Sequence, residues 1–300
     1  MLLRLLYLFA DLVLYPLLCY VVRYRRRVVR QNLLRSFPEM DERERRRLMR
    51  RFYRQFATEI AEMAYGLFIS EEEMARRVEM TNIELVNSLT RKYGGSIVML
   101  SHTGCWEWMA SLQQHVDKDI VECNVYRELK NKRMDRLMLR LRARRGGFCC
   151  EKNRLLRQMV KQRSEHQLTI YGMLADQKPS PNNMHFWTTF LHQDTSFLDG
   201  SEVLARKFRY PVFFMFITSP RRGYYHVDLR LLAEEVGALD EFELTHRYVR
   251  VLEQNILEQP HLWLWTHNRW KWRRQDIPQG LRTNITETQP ASTEQTTPQP

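Results

Sequence analysis

The stretch Ser96-Ile97-Val98-Met99-Leu100-Ser101-His102-Thr103-Gly104-Cys105-Trp106-Glu107-Trp108-Met109-Ala110 decides the fold. Its apolar half follows Gly94-Gly95 and predicts a short buried strand ending at His102. A turn around Gly104 follows. Apolar residues then recur at helical spacing at Trp108/Met109, Leu112 and Val116, predicting a helix over 106–116. A histidine thus stands at a strand's C-terminal end, and Glu107 stands in the first turn of the next helix. That is the edge of an α/β sheet where ligands bind. A neutral imidazole can take a proton from a hydroxyl near pH 7. A carboxylate beside it can hold the ring in one tautomer and stabilise the imidazolium. His102 and Glu107 therefore read as a general-base pair, although the same residues also suit a strand-end histidine and a Glu that favours the helix dipole. No G-x-S-x-G elbow occurs, so a covalent serine mechanism has no support.

The same pattern of a polar residue after a strand repeats downstream. Ile120–Tyr126 reads as a strand with Arg127 at its end, and Leu168–Ala175 as a strand ending in Asp176-Gln177. Asp176 either orients the base, binds an acceptor, or is a turn residue before Pro179. Between these strands, a helix from about Lys130 to Arg145 carries Arg142 and Arg144 and stops at Gly146-Gly147. Phe148–Cys150 and the aromatic run 185–191 read as short strands. Tyr210–Ile217 and Tyr224–Arg230 read as a hairpin, followed by a helix over 244–258. The aromatic–basic cluster 261–272 suits a membrane interface or stacking on single-stranded nucleic acid.

Residues 1–22 form the apolar segment. Leu5 to Val22 is 18 residues interrupted only by Asp11 and Pro16, at the short end for a spanning helix. Its length and interruptions leave two readings open: a span, or a helix lying in the interface. From Arg23 to Arg54 there are 13 arginines against four acids, which places that flank in the cytoplasm in either case. Asp41 predicts an N-cap, and Ser70 with Glu73 a capping box. The net charge of +12 asks for an anionic partner, whether nucleic acid, an acidic membrane or a phosphorylated substrate. The five cysteines show no metal-like or disulfide-like spacing, as in a reducing compartment. Residues 281–300, rich in Thr, Gln and Pro, predict a disordered tail.

Taken in order, Asn32-Leu33 with Phe37-Pro38, His102 with Glu107, Tyr126-Arg127 with Asn131 and Asp135, Arg142/Arg144, Asp176-Gln177, the segment 186–211, and Leu264 to Lys271 resemble the lipid A late acyltransferases. These form a branch of the H-x4-D/E glycerolipid-type acyltransferases. The resemblance covers roughly residues 1–275. It implies an α/β fold with a mixed central sheet flanked by helices behind an N-terminal membrane-anchoring helix. The implied division is an anchor over 1–22, an acyltransferase domain over 23–280 and a tail over 281–300. It also implies a bacterial inner-membrane enzyme with its catalytic domain on the cytoplasmic side. Such an enzyme moves an acyl chain from acyl carrier protein to a hydroxyl of a lipid A precursor, using no cofactor and no metal. His102 would be the base and Glu107 its partner. Arg142, Arg144 or Arg127 would bind the phosphorylated acceptor, with Asp176 and Gln177 nearby. Another lysolipid or aminolipid acceptor fits the same pair. A nucleic-acid binder is not expected, because no such motif occurs and the apolar segment would go unexplained.

Overall fold

The computed structural model describes residues 1–276 and 286–287. The apolar N-terminus is one helix, α1 (Leu2–Val21), with π-helical turns over Ala10–Leu14 and Leu17–Val21. Arg23 and Arg25, both at positive φ, break the chain into α2 (Arg26–Ser36). α3 (Glu42–Tyr65) starts at the predicted cap: Asp41 accepts from the Glu44 N–H, and Glu44 answers to the Asp41 N–H. At α4 (Glu71–Arg77) only half of the expected capping box forms. Ser70 accepts from the Glu73 N–H, while the Glu73 carboxylate accepts from Arg77 one turn on.

The strands are β1 (Val78–Thr81), β2 (Gly95–Leu100), β3 (Val121–Tyr126), β4 (Phe148–Glu151), β5 (Thr169–Leu174), β6 (Phe186–Phe190), β7 (Gln193–Phe197), β8 (Val212–Arg221) and β9 (Tyr224–Ala233). Seven of them form one sheet in the order β1-β9-β8-β2-β5-β3-β4. β2, β3, β4, β5 and β8 are parallel, and β9 returns antiparallel on β8. β2 is buried at every position, as a central strand covered by helices on both faces must be. Those helices are α5 (Ile83–Tyr93), α6 (Lys132–Ala143), α7 (Leu155–Ser164), α8 (Gly200–Phe208) and α9 (Glu243–Glu258). The expected mixed sheet flanked by helices, with an apolar N-terminal helix, is therefore present. β6 and β7 form a separate hairpin turned by Leu191 and His192, both at positive φ as a two-residue turn of this hand requires. Of the expected tail only Thr286–Glu287 is described, paired alongside β6; the rest lies outside the described residues.

Two expectations change. The helix after His102 is a nine-residue 3-10 helix, Trp106–Gln114. The aromatics of 261–272 are largely core: Trp263 and Trp265 are buried and meet edge to face at 4.8 Å. Phe186, Trp187 and Phe190 are buried as well, as core packing.

Candidate active site

β2 and β5 are neighbours in register, Leu100 beside Leu174, so the residues that follow them emerge side by side. His102 and Asp176 meet there, 74 residues apart in sequence. The Asp176 carboxylate accepts from the His102 backbone N–H at 2.9 Å and from the Trp263 indole N–H at 2.9 Å, and its other oxygen lies 2.6 Å from His102 Nδ1. Burial alone would raise this carboxyl. The imidazole and the two N–H donors, the His102 backbone and the Trp263 indole, outweigh it and hold Asp176 at about 2. An ionised Asp176 requires a proton on Nδ1, which leaves Nε2 as the acceptor nitrogen. Nε2 faces outward, 3.1 Å from the side-chain nitrogen of exposed Gln177.

The turn after His102 is clamped from the far end of the chain. Gly104 N–H donates to the Leu262 carbonyl, Leu264 N–H donates to the His102 carbonyl, and Thr103 bridges Trp263. Gly104 has φ +58, and a Cβ there would lie 2.6 Å from the Tyr225 ring. Asn32, on α2, fastens the clamp by donating to the carbonyls of Trp265 and His267. The N–H groups of Thr103, Gly104 and Trp106 are all engaged by backbone carbonyls, so this turn offers no oxyanion donor from those three.

Glu107 does not hold the imidazole. Its carboxylate accepts from Arg142 Nε at 2.8 Å and Nη2 at 2.7 Å, and from the Trp106 indole N–H at 3.1 Å. The forked face of Arg142 is thereby occupied by Glu107. Arg144 caps the end of α6 in solvent, and Arg127 is exposed at the end of β3. Trp106 links the two pairs, its ring standing edge-on to His102 at 5.0 Å. Behind Glu107 and Arg142, a small apolar cavity reaches Leu100, Met109, Gly172 and Met215, with Glu122 and Asn124 on its wall.

Sequence reasoning missed Lys178, whose ammonium is pushed down by partial burial and by the charges of Lys271, Arg269 and Arg127. Lys178, Lys271 and Arg127 reach solvent, while Arg269 is buried. Lys178 directly follows the Asp176-Gln177 pair, and that adjacency was its only sequence signal. His267 accepts from the Lys178 N–H, and burial holds it down to about 4, neutral at physiological pH. Among the described residues no group of three or more His, Cys, Asp or Glu is placed to hold a metal ion.

A mixed α/β sheet thus carries an Asp-held, outward-facing imidazole at its edge, an arrangement able to accept a proton. The chain belongs to a family described as bacterial lipid A biosynthesis acyltransferase, whose profile matches residues 14–272. It is 24% identical over 261 residues to the lipid A biosynthesis lauroyltransferase of Escherichia coli (strain K12), covering 86% of this chain and 82% of that protein.

Proposed function

We propose that this acyltransferase moves a fatty acyl chain from an acyl carrier protein thioester to a hydroxyl of a lipid A precursor at the cytoplasmic face of the inner membrane. The observation that carries the reading is the Asp176–His102 pair with Nε2 turned to the open side. Nε2 takes the hydroxyl proton as the oxygen attacks the thioester carbonyl. A carbon–oxygen bond forms and a tetrahedral oxyanion develops. As it collapses, the carbon–sulfur bond breaks and the imidazolium returns its proton to the thiolate. Asp176 stays ionised throughout and stabilises the imidazolium. Gln177 or Lys178 supplies the oxyanion donor, since three N–H groups of the neighbouring turn are engaged elsewhere. Arg127 and Lys178 are the better candidates for the acceptor's phosphate, because Arg142 is held by Glu107. The Glu107–Arg142 pair is then a positioning pair that sets Trp106 against the imidazole.

Acyl transfer from acyl carrier protein to a lipid A precursor, followed by mass spectrometry of the product, tests the reading. One added ester-linked chain is expected. Transfer to a lysophospholipid or aminolipid with no transfer to the lipid A precursor would replace the acceptor and keep the mechanism.

A further inference from the structure

α1 packs lengthwise and antiparallel against α3. Tyr7 Oη donates to Glu62 at 2.8 Å, Ala10 meets Ala57 and Ala61, and the Arg54 guanidinium lies 5.3 Å from the Tyr15 ring centre. The β8–β9 turn reaches the same helix. Arg222 pairs with Asp11 at 2.6 Å and covers the Tyr7 ring at 4.2 Å. The space beside Gly223 is filled by Tyr7, since a Cβ there would overlap Tyr7 Oη. The opposite face of α1 is an exposed apolar stripe of Leu5, Phe9, Leu12, Leu17 and Val21.

A helix of 20 residues is about 30 Å long, so if α1 crossed a bilayer Asp11 would sit near the midplane. Arg222, Arg54 and the turn carbonyls around Gly223 would be carried to the same depth. Irregular backbone and charged groups are not tolerated against lipid there. We infer that α1 does not cross the membrane but lies in the plane of its cytoplasmic interface, stripe inward, with both ends on the side of the catalytic body. The inference rests on the membrane location proposed above. A protease site placed before Met1 of the full chain tests it. Cleavage is expected in inverted membrane vesicles and not in intact spheroplasts. Cleavage in spheroplasts would overturn the inference while leaving acyl transfer, assayed in the same membranes, untouched. Spin labels at Leu5, Leu12 and Val21 give a second readout. All three should report one shallow depth, roughly 5–10 Å, and a midplane depth for Leu12 alone would overturn it.

A different observation concerns the C-terminal end of α1. A cleft of about 680 Å³ opens there, rimmed by Arg26, Arg30, Arg46 and Arg50 over Leu33 and Met49. Arg30 and Arg46 share Glu42, whereas Arg26 and Arg50 have no acidic partner among the described residues. The geometry assigns this cleft to the phosphate of an anionic phospholipid, with an acyl chain on the apolar floor of Leu33 and Met49. Sedimentation of the full chain with phosphatidylcholine vesicles, with and without phosphatidylglycerol, tests it. Arg26→Gln/Arg50→Gln should lower the phosphatidylglycerol preference roughly thirtyfold. Arg43→Gln/Arg47→Gln, on the exposed side of α3, should lower it much less. Equal losses would reduce the effect to diffuse charge and overturn the assignment. So would a double variant that keeps its lipid preference but binds an acidic carrier protein more weakly. Inorganic phosphate that abolishes the preference at millimolar concentration would show that the site takes a free anion and not a lipid.

Discussion

Two carboxylates lie wholly inside the sheet region, and they are held in opposite states. Asp176, just beyond β5, is kept at about 2 by an imidazole and two N–H donors. Glu122, near the start of β3, is pushed up to about 8 by burial, which the Gln113 N–H and Asn124 only partly offset. Burial is the same for both, so the partners decide. At the C-terminal edge the chain surrounds a charge with donors; in the sheet interior it keeps a carboxyl neutral.

The largest test of this contrast is His102→Ala, expected to lower acyl transfer about 10³-fold or more with an unchanged circular-dichroism spectrum. Full activity would remove the imidazole from the reaction. Asp176→Asn should cost roughly 10²–10⁴-fold, because an amide no longer enforces the Nδ1–H tautomer. If Asp176→Asn stays active while Glu107→Gln does not, the edge charge belongs to Glu107 and the comparison fails. Arg142→Ala strands Glu107 as an unpaired buried charge and should lower stability by about 3 kcal/mol in urea unfolding. Adding Glu107→Leu should recover much of that loss.

The smallest effect concerns the interior group. Below pH 4.5 both folded and unfolded chains keep Glu122 protonated, and this group's stabilisation is fully present. Between there and about 8 only the unfolded chain loses the proton, so stability falls as pH rises through that window. Glu122→Gln should flatten the decline and raise stability at pH 8 by roughly 1–2 kcal/mol, a figure kept below the full shift because buried sites relax. Asp176 acts with the opposite sign. Its contribution is present above its ordinary 3.8 and is lost as pH falls toward about 2.

The strand at 95–100, its histidine and the polar residues closing β3 and β5 were legible because each is a local pattern of burial followed by polarity. The partner of His102 was not. The H-x4-E spacing draws attention to Glu107, five positions away, but the ring turns toward β5, and strand adjacency is set by sheet order rather than by chain distance. The 3-10 winding over Trp106–Gln114 and the bond to Arg142, 35 residues on, take Glu107 elsewhere. The tryptophans near 263 read as interfacial from composition, yet Trp263 is buried because its indole N–H is needed by Asp176.

That indole contact also orders events during synthesis. Trp263 and the clamp at 262–267 close a turn begun 160 residues earlier, so the nascent chain emerging from a ribosome carries His102 long before it can hold it. Chains interrupted before this late segment would carry His102 without the clamp that fixes its turn.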